Sequence, residues 1–388
     1  MYKGKNPSAP LLTDGIPSHE TMKSLFATTS EVKPGSGGGM VSYNIALALK
    51  EATNLVRILC DGETDIAKSK NINPTNYAQP NVPFLWDYFA TQFAIPVDIA
   101  HFRGDPFGLT AEKIRFLNPN AKIIVDVPAH NLELSIEEFH RWGYCYPFLH
   151  MLDDFLWKIY ASHIGKADVV VVPSVLSAKY VELSKTFRKV FLHKPEIKII
   201  PHGVELPKEI PPKPDDKFRV IHLGACGFDK GQIYLLQAWK KLNLKNAELL
   251  IAGYGTESWD AFIKSNKIEN AYALGKLDDL KYFYSSGSIY VQPSVTEGWG
   301  LPVGEAMAYG KPVIVTEGTG AKDMVTENYN GFVVPIRNPD AIAEKIQYFY
   351  DNPDEVKRMG RNARATAINY EWNRIRKRYI DLYKSFEV

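Results

Sequence analysis

Short apolar runs alternate with stretches of helical periodicity along most of the chain. In its first half the runs are SLFATTS (24–30), LVRILC (55–60), VDIAHF (97–102), KIIVDVP (122–128), ADVVVVPS (167–174) and IKIIP (197–201). They are rich in β-branched residues and separated by helical segments. That pattern predicts parallel strands buried on both faces of a βαβ sheet.

The stretch PKEIPPKPDDKF (207–218) interrupts the rhythm with four prolines among charged residues, as expected of an exposed linker. The alternation restarts with RVIHLGA (219–225), ELLIAG (248–253), AYALG (271–275), SIYVQPS (288–294), PVIVTEG (312–318) and GFVVP (331–335). The pattern predicts an α/β protein with two Rossmann-like domains facing each other across a cleft. The first covers 1–206, opening with a polar extension at 1–21. Residues 207–217 form the linker, 218–369 the second domain and 370–388 a terminal helix. In WNRIRKRYIDLYKSF, Trp372, Ile375, Tyr379, Leu382 and Phe386 recur at steps of three and four, one apolar stripe. Its expected place is back on the first domain. The basic RIRKR face also admits peripheral contact with a lipid surface.

Composition narrows the classes. Of 388 residues, 45% are hydrophobic and 23% charged, enough apolar material for two cores. A formal charge of +2 gives no pull toward nucleic acid. Cys60, Cys145 and Cys226 are odd in number and far apart, which argues against a disulfide framework and fits the cytoplasm. There is no His/Cys cluster with metal-ligand spacing and no run of about 18 apolar residues. No basic start followed by an apolar core suggests a signal peptide.

In an open α/β sheet, ligands bind in loops at the carboxyl ends of the strands. Three such loops carry the candidate chemistry. EVKPGSGGGMVSYN (31–44) follows the first strand. There Gly37, Gly38 and Gly39 clear side chains where N–H groups at a helix start would meet a phosphate. The loop matches neither G-x-G-x-x-G nor the P-loop, and a flexible turn would use the same glycines. HLGACGFDKGQIYLL (222–236) sets Lys230 just before a helix, with Gly227 and Gly231 nearby. A cation there opposes the helix dipole unless an anion binds; a solvated surface lysine is the alternative.

The third, SVTEGWGLPVGEAMAYGKPV (294–313), carries Glu297 and Glu305 with seven residues between them. Three of the seven are glycine and one is proline, a composition that suits neither a plain helix nor a plain strand. The N–H groups of Gly298, Trp299, Gly300 and Leu301 can line a small polar ligand. Glu305, expected in the first turn or so of the next helix, can accept two hydrogen bonds from a vicinal diol such as a ribose. Glu297 can accept from sugar hydroxyls. Two histidines follow strands, His101 in IAHFRGD and His130 in KIIVDVPAH, each either a structural residue or a cleft group. The aromatic-rich segments 84–93 and 140–160 read as helices with aromatic core residues, or as an acceptor surface.

The third loop resembles the E-x7-E signature of retaining, GT-B-fold glycosyltransferases of family 4 (glycosyl transferases group 1). The resemblance continues through KIIVDVPAH, ADVVVVPSVLSAKYVE, IKIIPHGVE, ELLIAGYGTE and the run from Tyr272 to Val325. It covers most of residues 24–386, most strongly after 196. It implies the GT-B fold and a metal-independent, retaining hexosyltransferase without a cofactor, of the kind used in polysaccharide biosynthesis. No D-x-D motif is present. The donor implied is a nucleotide-diphosphate sugar, GDP-mannose favoured and UDP-glucose or UDP-N-acetylglucosamine next. The acceptor is a hydroxyl of a glycan, a lipid-linked or a small molecule.

In that frame Glu305 holds the ribose diol. Glu297 and the Gly298–Leu301 backbone hold the donor sugar and the departing diphosphate. Lys230, in the Gly227 loop, neutralises the diphosphate, Gly37, Gly38 and Gly39 approach it from the first domain, and His130 sits beside the donor sugar. There is one departure: the family's phosphate-binding arginine is replaced by Ala225, followed by Cys226. Arg103 or Lys322 would then have to substitute. The alternatives are another GT-B enzyme, such as a nucleotide-sugar epimerase, or a catalytically inactive nucleotide-binding scaffold.

Overall fold

The computed structural model describes residues 22–28, 37–60, 73–76, 90–92, 94–104, 107–127, 131–142, 165–183 and 195–387. The extension 1–21, His130 and most of the aromatic-rich segments lie outside the described residues.

The described strands form two parallel sheets. The first contains β1 (Lys23–Thr28), β2 (Asn54–Cys60), β3 (Asn73–Asn76), β4 (Ile99–Arg103), β5 (Lys122–Asp126), β6 (Val169–Val172) and β7 (Glu196–Ile199). Their order is β3-β2-β1-β4-β5-β6-β7. The second contains β8 (Phe218–Leu223), β9 (Ala247–Ala252), β10 (Ala271–Ala273), β11 (Ile289–Gln292), β12 (Val313–Thr316) and β13 (Gly331–Val334), in the order β10-β9-β8-β11-β12-β13. Both orders reverse direction beside the first strand of the sheet, between β1 and β4 and between β8 and β11. Each reversal leaves a crevice at the carboxyl ends of the strands.

The helices are α1 (Gly37–Ala52), α2 (Gly108–Leu117), α3 (Leu132–Arg141), α4 (Val175–Leu183), α5 (Gln232–Lys241), α6 (Trp259–Ser265), α7 (Leu280–Ser286), α8 (Leu301–Ala308), α9 (Pro339–Asp351), α10 (Pro353–Ile368) and α11 (Trp372–Lys384). The four valines of β6 are all buried, which is why that strand reads as a continuous apolar run. β3 is the strand the apolar pattern does not predict. Its sequence NPTN has no apolar run, and it pairs only with β2 at the sheet edge, where proline is tolerated.

α11 buries its apolar stripe on the first domain. Ile375, Tyr379, Leu382 and Tyr383 share one core with Phe26, Ile45 and Leu49. The stripe is therefore covered by protein, while the basic residues Arg374, Lys377 and Arg378 face solvent. Polar contacts pin the helix. Tyr379 donates to Asp126 Oδ2 at 2.8 Å, and Tyr383 Oη lies 2.8 Å from His101 Nδ1. Asp126 also forms a buried ion pair with Arg103.

Two residues considered for the cleft are thus assigned elsewhere. His101 is fully buried, edge-on to Phe26 and Tyr383. Burial and the nearby Arg103 push its pKa down to about 3, so it is neutral. Arg103 is committed to Asp126 inside the core and is no substitute phosphate cation.

Two chain crossings join the domains side by side. Val204 bridges Glu371, and Val204 N–H donates to Tyr370 O at 2.8 Å. A Cβ on Gly203 would lie 2.4 Å from the Trp372 ring, so only glycine lets the two crossings touch. A third tie runs through α3. The fully buried Glu138 accepts from Arg337 Nε at 2.7 Å, from Trp142 Nε1 at 2.9 Å and from the Tyr234 hydroxyl. Its carboxylate thereby joins the first domain to α5 and to the segment after β13.

Candidate active site

The second crevice is flanked by the loops that follow β8 and β11. After β8 the chain turns at Gly231 with φ +69°, and a Cβ there would lie 2.0 Å from Pro293 O. That glycine lets the Lys230 turn pack directly against the loop after β11. Val295 N–H donates to Asp229 O at 2.8 Å and locks the contact. Lys230 Nζ then reaches Glu297 Oε2 at 2.7 Å, both side chains about one-quarter exposed (27% and 23%). Burial is the largest influence on the Lys230 ammonium and works to lower its pKa. Glu297 and Asp229 more than offset it and hold the pKa above the ordinary lysine value.

The loop after Glu297 has an ordered backbone geometry. Glu297 O accepts from Gly320 N–H at 2.9 Å, and Trp299 O from Ala321 N–H at 2.7 Å. Gly298 O, between them, accepts from the hydroxyls of Ser174 at 2.8 Å and Ser177 at 3.0 Å, both from the first domain. These partners sit close together, since a Cβ on Gly320 would lie 2.0 Å from Gly298 O and 2.6 Å from Ser174 Oγ.

In a trans peptide the C=O and the following N–H point in opposite directions. Three consecutive carbonyls held on one side therefore turn the N–H groups of Gly298, Trp299 and Gly300 to the other. Those three, and that of Leu301, have no acceptor among the described residues. Successive N–H groups on one side make an anion-binding concavity. Gly300, at φ +93°, closes it and starts α8, with Pro302 in the first turn. Trp299 contributes only its backbone; its ring is buried beside Tyr370 and His202.

Glu305 is the fifth residue of α8. It lies in the second turn, because the helix already starts at Leu301, and its carboxylate answers to a side chain rather than to the helix dipole. The Tyr284 hydroxyl donates to Oε2 at 2.5 Å. Burial raises the Glu305 pKa, the Tyr284 hydrogen bond opposes that, and Glu205 adds to the rise. The other carboxylate oxygen has no hydrogen-bond partner among the described residues.

The remaining candidates are distributed as follows. Gly37, Gly38 and Gly39 form the first turn of α1 rather than a free loop. Gly227 offers no free N–H, because it donates to Gln232 Oε1 at 3.3 Å. Gln232 also donates to Ala225 O at 2.8 Å and so shapes the turn where the arginine is missing. Ala225 and Cys226 are exposed. Lys322 donates to Glu317 O at 2.7 Å. His130 lies outside the described residues, but the N–H of its neighbour Asn131 donates to Thr296 Oγ1 at 2.7 Å, next to Glu297. Among the described residues no cluster of three or more His, Cys, Asp or Glu is placed to hold a metal, and no helix is long and apolar enough to cross a membrane. A cavity of about 1040 Å³ opens at the opposite end of the first sheet, near Lys23, Asn54 and Lys122, away from all of these groups.

Sequence reasoning alone missed Ser174, Ser177, Gln232 and Tyr284. The serines carried one local signal, the S-x-x-S spacing of a helix start: Ser174 Oγ accepts from Ser177 N–H at 3.0 Å. Nothing local marks Tyr284 as the partner of Glu305.

Residues 205–366 match the family model described as glycosyl transferases group 1. The match covers nearly all of the second domain. An uncharacterized glycosyltransferase of Methanocaldococcus jannaschii is 30% identical over 179 residues, 44% of this chain and 45% of that protein. The chain thus spans about half the length of the curated relatives it matches. Among solved structures, sucrose-phosphate synthase from Thermosynechococcus elongatus superposes with TM-score 0.72 at 18% identity, covering 94% of this chain and 98% of that one. HepE of Anabaena, solved with UDP-glucose, superposes with TM-score 0.69 at 17% identity, covering 94% and 100%. These likenesses show the fold, the two-domain GT-B architecture of the glycosyl transferases.

Proposed function

We propose that the protein transfers a hexosyl group from a nucleotide-diphosphate sugar to an acceptor hydroxyl, with retention of configuration and without a metal. The observation that carries this reading is the row of N–H groups at Gly298, Trp299 and Gly300 beside the Lys230–Glu297 pair, with Glu305 further along α8. Such a site matches a ligand with an anionic centre and a diol. The departing group would be a nucleoside diphosphate. The charge growing on it would be met by fixed N–H dipoles and the Lys230 ammonium, which need no reorganisation during the reaction. Glu305 would accept from the ribose hydroxyls and Glu297 from the donor sugar. In a front-face retaining reaction the departing phosphate would itself take the acceptor's proton. His130 would lie beside the donor sugar.

Among the donors that the family resemblance implies, GDP-mannose is tested first, and the solved neighbour carrying UDP-glucose supports testing that donor beside it. A nucleotide-binding scaffold without turnover is the second reading. It is favoured by Ala225 in place of an arginine and by the commitment of Arg103 to Asp126.

The test is incubation with GDP-mannose, UDP-glucose and UDP-N-acetylglucosamine over an acceptor panel, following nucleoside diphosphate release and the anomeric proton of the product. Release with an α-linked product from an α-donor supports the proposal. Nucleotide binding without release favours the scaffold, and an inverted product removes the retaining mechanism.

A further inference from the structure

We propose that Ser174 and Ser177 of the first domain are positioning residues that set the Gly298–Trp299 peptide of the second, so that the N–H row is complete only when the domains are closed. The inference rests on the donor site described above but concerns residues outside it.

The geometry is specific. Glu297 O and Trp299 O are anchored by Gly320 and Ala321, residues of their own domain. Gly298 O is different: its hydrogen bonds come from Ser174 and Ser177, 124 and 121 residues away in sequence and on the opposite side of the cleft. Gly298, Ser174 and Ser177 are buried, so a Gly298 carbonyl without its hydroxyls would lie unsatisfied and favour turning toward water. Glycine makes that turn easy, since it has no Cβ to restrict it. A rotation of the peptide carries the Trp299 N–H out of the row. Domain opening withdraws both hydroxyls at once, because Ser174 starts α4 and Ser177 lies in its first turn. The same helix start is tied across the cleft a second time, by Val175 N–H donating to Asp323 Oδ2 at 2.8 Å. The first domain therefore acts on donor recognition without touching the donor with these side chains.

The decisive experiment is a ¹H–¹⁵N spectrum of tryptophan-labelled protein, with the Trp299 backbone amide assigned through Trp299→Phe. Without any nucleotide, S174A/S177A should displace or split the Trp299 resonance and leave the other tryptophans in place. The variant Ser177→Ala, which keeps the Ser174 helix cap, should give a smaller displacement. S177T, which keeps a hydroxyl, should restore the wild-type position. Titration with UDP and GDP should then show roughly tenfold weaker binding by the double variant, the size expected for losing the hydrogen bonds that hold one peptide. A Trp299 resonance that stays in place in S174A/S177A overturns the inference, whatever the nucleotides do. A displaced resonance in a protein whose wild type binds neither nucleotide supports the positioning role and removes the donor reading instead.

Discussion

Glu297 and Glu305 stand on one loop–helix segment, and the fold gives them different companions. Glu297 sits on the loop against a cation, Lys230, at 2.7 Å. Glu305 sits in the helix against a phenol, Tyr284, at 2.5 Å, where burial raises its pKa. A carboxylate paired with a lysine places both signs of charge at the point where a phosphate and a sugar hydroxyl would meet. A carboxylate fixed at one oxygen by a neutral donor keeps the other oxygen as an acceptor, well suited to a diol. In the proposed reaction the spacing of seven residues would separate the reacting end of the site from its holding end.

Lys230→Met should break the comparison most severely. It removes the cation and leaves Glu297 unpaired, and loss of one such electrostatic group costs about 10²–10³ in kcat. Steady-state kinetics with the preferred donor would check this, and an unchanged kcat would move Lys230 out of the reacting end. Glu305→Gln should act on the other parameter. Hydrogen bonds to a charged group are worth about 1.5–3 kcal/mol, so the donor KM should rise about tenfold to a hundredfold with kcat little changed.

A pH profile sharpens the contrast further. In the proposed role a donor diol would be held best by the ionised Glu305. Because its pKa is raised, donor KM should begin to climb with falling pH above the ordinary glutamate range of about 4.3. Glu305→Gln should flatten that limb of the profile. Tyr284→Phe should have the smallest effect. Losing one hydrogen bond, at about 0.5–1.5 kcal/mol, should raise donor KM a few-fold. It should also move the pH dependence upward, because the phenol's bond is the influence that holds the Glu305 pKa down.

The contrast also explains what was legible in the sequence. Buried strands announce themselves through β-branched runs, as in the four valines of β6, and Lys230 and Glu297 stand in loops of recognisable composition, with Glu305 in the helix that follows the second. Three features were not readable. The polar edge strand β3 has no apolar pattern to betray it. Arg103 looks like a free cation until Asp126, 23 residues on, is found beside it in the folded core. Ser174 and Ser177 read only as a helix start, because their second role depends on a carbonyl in the other domain. Local composition reports local backbone, whereas each of these partnerships is created by tertiary packing.

In the proposed site the N–H row with Lys230 holds the diphosphate while Glu305 holds the ribose. Calorimetric titration with UDP and GDP, and with uridine and guanosine, on wild type, Lys230→Met and Glu305→Gln tests this assignment most directly. Wild type should bind one diphosphate at least about tenfold more tightly than its nucleoside, a gap of about 1.4 kcal/mol. Lys230→Met should narrow that gap, and Glu305→Gln should weaken both ligands alike. Equal affinity for nucleoside and diphosphate in the wild type, or a gap untouched by Lys230→Met, would contradict it.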